Sequence, residues 1–425
     1  MSREPEGKRT TAAHRGVPAT AASSRARFGV ASLAGRVAAA ASRITRQDGA
    51  AVRGQVIRRV DPAALSRVVR RQPWVLVVGQ YGTTVLSSLL VAAVRASHGT
   101  HERPLAQTEA DDGLDGVVAA LTGRVVPELA VIAARPDDAV ELLATGDLPR
   151  AIVLVNSSGA APNERYAQAR RLRAAIDRIH AVVPVIADAD DPMTVLAAGS
   201  ARRAIWVRGT RTYHDQLLCP GCGSILTWNT DDHPGWSCPR RDYRQPEPDY
   251  VVQDGKITDA EGQVWDPRLP LPGRLIIDQA CFALATAGTL GINAGTVFVG
   301  MRQCDDALGR FTPIKLGETM ARLIVARHPA EFTDALSMIE NPTVIMATDD
   351  TELPWLWDCD PAPLAGRTMI ATGPRAPDVA VRLGHAGLDC RDVPEPAAAL
   401  AGHRRGADVI ATPGAFRALL RLGGR

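Results

Sequence analysis

Six consecutive residues, Gly79-Gln80-Tyr81-Gly82-Thr83-Thr84, have the types and spacing of a phosphate cradle. The two glycines let a backbone curl, and a helix started at the threonines would aim N–H groups and its positive dipole end at an anion. A loop of this kind works on a nucleoside triphosphate when a lysine after the second glycine reaches the β- and γ-phosphates and an adjacent hydroxyl holds Mg²⁺. Here Thr83 stands in the lysine place and Thr84 in the hydroxyl place. The only lysines are Lys8, Lys256 and Lys315, all distant in sequence from the loop. An ordinary strand-to-helix turn with two glycines is the competing reading.

A second set is Cys219-Pro220-Gly221-Cys222-Gly223, the knuckle of a zinc ribbon. Cys238 follows, but Arg241 occupies the place of its partner, and a guanidinium cannot ligate a metal. Cys219, Cys222 and Cys238 thus form an incomplete zinc site, with His233 or His214 as candidate fourth ligands. In the alternative, Trp228, Trp236 and the turn residues hold the ribbon without metal.

The elements that must carry these residues alternate. Residues 74–78 are apolar and read as a buried parallel strand, and 85–94 as the helix after the loop. Strands at 129–134, 151–156, 182–187 and 203–208 alternate with helices at 137–145, 163–179 and 192–199. This pattern predicts a mostly parallel sheet covered on both faces, with ligands at the carboxyl ends of its strands. Helices are also expected at 31–48 and from Asp61-Pro62, with Asp61 as cap. Residues 211–250, rich in Pro, Cys, Trp and Asp, read as an inserted zinc-ribbon-like module. A helix near 278–288 follows. A smaller Rossmann-like α/β domain fills 311–425, with strands at 368–372 and 407–412, a helix at 376–386 and a last helix from Pro413. The expected domains are therefore a disordered tail over 1–30, a central domain over 31–310 containing the insert, and a C-terminal domain over 311–425.

The 425 residues are 46% hydrophobic with a net charge of +3, which suits a globular protein and gives no argument for nucleic acid. Residues 74–94 carry no charge, but Gln80, Thr83, Thr84, Ser87, Ser88 and two glycines argue against a membrane span. Arg25, Arg27 and Arg36 break every candidate signal sequence. Seven widely spaced cysteines point to a reducing compartment, so a cytoplasmic protein is expected, peripheral at most to the inner face of the membrane.

In order, these pieces resemble the MurT family, the Mur-ligase-like subunit of lipid II isoglutaminyl synthase. Gly79, Gly82 and Thr84 match three places of its G-T-N-G-K-T-T loop. Residues 54–65 resemble its preceding helix, Ala189-Asp190-Asp191-Pro192 its A-D-D-P, and residues 219–226 its first zinc knuckle. Gly309-Arg310 matches its domain border. Trp355-Leu356-Trp357-Asp358-Cys359-Asp360 and Thr372-Gly373-Pro374-Arg375-Ala376 match its C-terminal domain.

The resemblance implies a Mur-ligase-like central domain, ATP-driven activation of a carboxylate of lipid II, and a GatD-like glutaminase partner that supplies ammonia. It also implies a glutamine-hydrolysing carbon–nitrogen ligase in which MurT lends a carboxylate to the glutaminase. Glu352 falls at that lent carboxylate, one methylene longer than the family's Asp. Trp355, Trp357, Asp358, Asp360 and Arg375 become a partner surface. The departures fall on the chemistry. Thr83 replaces the lysine and Tyr81 the asparagine of the loop. Ala133-Ala134-Arg135-Pro136 replaces the Mg²⁺-holding E-I-D-E, residues 159–162 lack the acid of F-R-D-Q, and Arg327-His328-Pro329-Ala330-Glu331 replaces K-N-P-A-G. Losing one preorganised electrostatic contact costs about a hundred- to a thousandfold in rate. The expectation is a paralogue that has lost ATP and Mg²⁺, binds a GatD-like glutaminase or an active MurT, and adjusts cell-wall amidation. Two alternatives are an active subunit in which Arg135 or Arg327 rebuilds the nucleotide site, and a stand-alone binder of a cell-wall precursor.

Overall fold

The computed structural model describes residues 49–99, 105–108, 113–123, 125–157, 162–211, 216–229, 235–270, 272–304 and 311–423. The expected helix at 31–48, the tail before it, His214, His233, residues 159–161 and Gly309-Arg310 lie outside them.

Helices α1 (Gly49–Val60) and α2 (Ala64–Val69) lead to β1 (Trp74–Gly79), which the loop joins to α3 (Thr83–Ser97). Then come β2 (Leu105–Thr108), α4 (Gly113–Leu121), β3 (Leu129–Ala134), α5 (Pro136–Ala144), β4 (Ala151–Asn156) and α6 (Pro162–Asp177). They are followed by β5 (Pro184–Asp188), α7 (Pro192–Ala198) and β6 (Arg203–Arg208). The insert holds a hairpin, β7 (Thr227–Asn229) and β8 (Gly235–Ser237). The main sheet resumes with β9 (Tyr250–Gln253), β10 (Lys256–Thr258) and β11 (Val264–Trp265), followed by α8 (Arg274–Thr289) and α9 (Ala294–Arg302).

The sheet order is β11-β10-β9-β6-β5-β4-β1-β3-β2. Strands β2 to β6, β1 and β9 are parallel, and β10 and β11 form an antiparallel edge. Strand alternation splits the core in two. Trp74, Leu76 and Val78 of β1 face a layer built from α1, α2 and α4 to α7, whereas Val75 and Val77 face α3, α8 and α9. Both faces of β1 are buried, which accounts for its unbroken apolar run. Helix α3 reaches its partner α9 closely because Gly300 has no side chain: a Cβ there would lie 2.4 Å from the carbonyl oxygen of Ala92.

The second sheet is built from β12 (Phe311–Leu316), β13 (Thr319–Val325), β14 (Thr343–Ala347), β15 (Thr368–Thr372), β16 (Cys390–Asp392) and β17 (Ala407–Ala411). Its order is β12-β13-β17-β14-β15-β16, parallel except for the edge strand β12. Helices α10 (Pro329–Ser337), α11 (Ala376–His385), α12 (Pro396–Leu400) and α13 (Pro413–Leu422) accompany it.

Asp61 does not cap a helix as expected. The N-cap of α2 is Ala63, and the buried Asp61 carboxylate accepts the Ala63 N–H at 3.2 Å and pairs with Arg67 at 2.6 Å. Chain direction turns at Asp61, so its side chain ties the turn instead.

Candidate functional site

The loop after β1 is built as a cradle and then occupied by its own protein. Gly82 has φ 76°, the left-handed conformation that glycine adopts without penalty, and it forms the N-cap of α3. Asn156, the last residue of β4, clamps the loop from the side. Its Oδ1 accepts the Gln80 N–H at 3.1 Å, and its Nδ2 donates to the Tyr81 carbonyl at 2.8 Å. One backbone donor of the cradle is thereby committed to the protein. Thr83 is 3% exposed. Gln279 of α8 presses on Gly82, its Nε2 2.9 Å from where a Cβ would stand, and both of its amide atoms are buried without a partner among the described residues.

Tyr81 closes the front of the loop. Its side chain is 2% exposed, its ring lies 4.4 Å from that of His328, and the Arg211 guanidinium sits 4.9 Å from its centroid. Arg211 pairs in turn with the buried Asp278 at 3.4 Å. Asp278 also accepts the N–H and hydroxyl of Thr210 at 3.0 and 3.2 Å. Asp334 of α10 accepts the Leu275 N–H of α8 at 3.0 Å, a second tie between the two sheet domains.

Beside the loop, at the carboxyl end of β5, lies a shelf of three buried acids. Asp191 is the N-cap of α7. It accepts from the Ser157 N–H and hydroxyl at 2.7 and 3.1 Å, and from the Met193 and Thr194 N–H groups at 2.8 and 3.4 Å. Asp190 accepts the Gly209 N–H at 2.8 Å and the Gln245 side chain at 2.6 Å. Asp188 accepts the Asp190 N–H at 2.8 Å. Burial, with Asp278 adding like charge, pushes the Asp190 carboxyl up to about 7. Burial also raises Asp278, to about 6, against the pull of Arg211.

Those shifts set a pH dependence. A folded-state value raised above the unfolded one means that the folded chain holds the proton more tightly. The stabilisation is full below about pH 4 and is lost as pH rises through about 7. Asp190→Asn is expected to remove most of that slope. Relative to wild type, its melting temperature should gain roughly 2 °C at pH 8 and little at pH 4, the scale of 1–2 kcal/mol in a chain of this size. Parallel melting curves at both pH values would contradict this.

Ala133 and Ala134 end β3, and Arg135 pairs with Asp138 at 3.6 Å with 56% of its side chain exposed. Arg327 pairs with Glu331 at 3.4 Å. Lys256 and Lys315 lie exposed on β10 and β12. Both arginines are paired with acids, and the cradle holds Tyr81, Gln279 and the buried Thr83.

The three cysteines do converge. The sulfurs of Cys219, Cys222 and Cys238 all lie within 4.8 Å of one another, with Cys222 and Cys238 3.5 Å apart. Hydrogen bonding to Ser224 lowers Cys222 to about 6, whereas burial raises Cys219. Arg241 lies over Gly221, its Cδ 3.4 Å from where a Cβ would stand. Three convergent thiols are a donor set that suits zinc. The insert is fastened to the main domain by the Trp236 indole N–H, which donates to the Ala189 carbonyl at 3.1 Å, and by the Tyr243 hydroxyl on the Pro192 carbonyl.

In the second domain the expected partner residues are spread along α11, Glu352 and Arg375 at its N-terminus and Trp357 at its C-terminal end. Glu352 is exposed and pairs with Arg375 at 3.8 Å, and Arg375 also pairs with Asp378 at 3.2 Å. A 3₁₀ turn, Pro354–Asp358, splits its two tryptophans. Trp355 packs inward near Phe332, whereas Trp357 is 54% exposed, edge-on to His385 at 5.4 Å and under Arg382 at 5.5 Å. Asp358 is exposed, and Asp360 accepts the Ala362 N–H at 3.0 Å. An open cavity of about 560 Å³ lies at the carboxyl ends of β14, β15 and β17, lined by Asp349, Asp350, Gly373, Asp392 and Gly414 among others.

Asn156, Gln279, Arg211 and Asp278 were not singled out from the sequence. An asparagine ending a buried strand beside a Gly-rich loop is the one signal that was present for Asn156.

No protein-family profile and no curated protein matches this chain. Solved structures do. A pseudomurein peptide ligase type C from Methanothermus fervidus superposes with TM-score 0.60 at 14% identity, over 83% of this chain and 78% of that one. MurF from Acinetobacter baumannii gives 0.59 at 15%, over 88% and 79%. A folylpolyglutamate synthase from Thermotoga maritima gives 0.56 at 11%, over 85% and 92%. The chain has a Mur-ligase-like α/β fold.

Proposed function

We propose that this chain of Mur-ligase-like fold is a non-hydrolysing relative of lipid II-amidating subunits. It binds a GatD-like glutaminase or an active MurT through its C-terminal domain and adjusts amidation of a lipid II-type precursor. The observation that carries the reading is Thr83. The place that requires an ammonium group holds a buried hydroxyl, and Arg135, Arg211 and Arg327 are each paired with an acid. Phosphoryl transfer depends on positioning and charge neutralisation, and neither is supplied here.

Calorimetric titration with ATP and Mg²⁺ is expected to give no saturable heat, and no glutamine-dependent ADP release should follow. Micromolar binding with turnover would refute the proposal. Partner docking is tested with purified GatD-like glutaminase. Trp357→Ala is expected to weaken the complex ~30-fold or more, the scale of an aromatic hot spot. An unchanged dissociation constant would move the interface elsewhere.

Zinc belongs to the same proposal. Cys219, Cys222 and Cys238 would hold it, and bound there it supplies structural cross-linking of the insert. Protein purified without chelator is expected to carry one Zn²⁺ per chain, lost in Cys222→Ser. A metal-free wild type with a folded insert would remove zinc from the account.

A further inference from the structure

Tyr81 joins three parts of the chain that are remote in sequence. Its backbone belongs to the loop after β1 and is held there by Asn156. Its ring meets Arg211, on the segment that leaves the sheet after β6, and His328, the N-cap of α10 in the second domain. Arg211 is anchored by Asp278 of α8, and Asp334 ties α10 to the first turn of α8. A planar aromatic group thus packs against both a cation, 4.9 Å from its centroid, and an imidazole tilted 49° to it, in front of a Gly-rich loop at the seam between two domains. That is the contact set a bound ligand with a flat ring would make, supplied by the loop's own side chain.

We propose that Tyr81 is an internal ligand. It fills the cleft in front of the loop and clasps the second domain onto the first, so the closed arrangement of the two needs no bound molecule. This deepens the non-hydrolysing reading and rests on it, since a nucleotide in the cleft would have to displace the ring. Burial keeps the phenol neutral by raising its ionisation above the ordinary tyrosine value, so the ring needs no counter-charge. The clasp lies mostly in the ring. Its hydroxyl also accepts a hydrogen bond from Arg211, whereas the contact with His328 across the seam is made by the ring.

The test compares wild type, Tyr81→Phe and Tyr81→Ala by small-angle X-ray scattering of the full chain, with and without p-cresol. Wild type and Tyr81→Phe are expected to share one compact profile. Tyr81→Ala should show a larger radius of gyration, which p-cresol restores by entering the vacated space. It should bind p-cresol on the order of tenfold more tightly than wild type does, as cavities left by a removed ring do. His328→Ala removes the same contact from the opposite domain, and it keeps the proposal testable where Tyr81→Ala fails to fold. It too is expected to open the molecule. Retention of the wild-type profile by both alanine variants, or by His328→Ala when Tyr81→Ala cannot be obtained folded, would overturn the clasp. The ATP titration of wild type is a separate measurement: binding there would defeat the non-hydrolysing reading while leaving the scattering comparison intact.

Discussion

Asp191→Ala is expected to cost about 3–5 kcal/mol of stability, because it leaves several buried donors without an acceptor at about 1–3 kcal/mol each. The Asp191 side chain is fully buried and receives four hydrogen bonds from Ser157, Met193 and Thr194. Gln216 Nε2 donates to the Ser157 Oγ at 2.9 Å and so cannot take over the hydroxyl proton, and the loss falls on the Ser157 hydroxyl as well as on the backbone groups. In urea unfolding the midpoint should fall at an unchanged slope. Asp191→Asn keeps one oxygen and turns an NH₂ group toward the other donors, so it should lose about half as much. The damage should also spread: Ser157 directly follows Asn156, the residue that clamps Gln80 and Tyr81. A loss below about 1 kcal/mol would show that the shelf does not hold the strand ends together.

The second large effect is steric. Gly300→Ala should destabilise the chain by about 3 kcal/mol, the upper end of overpacking. The new Cβ would meet the Ala92 carbonyl oxygen at 2.4 Å and the Ala93 Cα at 2.8 Å, and backbone cannot escape by changing rotamer. Helix α3 would have to move away from α9, carrying Gly82 and Thr83 with it. Thermal unfolding measures the loss, and a variant as stable as wild type would mean that the helix crossing is looser than its geometry.

Seven of the fifteen strands in the two sheets were readable, β1, β3 to β6, β15 and β17: 129–134, 151–156, 203–208 and 368–372 match their strands residue for residue, and all of these but the half-exposed β6 are buried parallel strands with continuous apolar runs. The strands missed include the buried β14, whose five-residue run was passed over, and more exposed strands such as β9 and the edge strand β12. Strand β2 is four residues long and half exposed, and α4 and α9 contain Gly113, Gly116, Gly295 and Gly300, which blur a helical pattern. The loop was legible, as was the bulk of Tyr81 within it. Its occupants were not. Gln279, Arg211 and His328 reach Tyr81 or Gly82 only through the sheet order and the packing of one domain on the other, and no local spacing encodes that. The convergence of three thiols followed from the knuckle motif, whereas the division of labour between the inward Trp355 and the outward Trp357 depends on a 3₁₀ turn that alternation does not announce.

The register of β6 with β9 has a consequence for how such a chain can change length. Parallel neighbours ordinarily require the backbone to travel back along the whole strand before pairing again. Here Val207 and Arg208, the last residues of β6, sit beside Tyr250 and Val251, the first of β9. The forty-odd residues between them thus leave and rejoin the sheet at the same place, the end of β6 beside the start of β9. Changes of length at the outer turns of this appendage leave the thread of the sheet undisturbed, whereas Gln216, Trp236, Tyr243 and Gln245, which bind back to the main domain, hold its base in place.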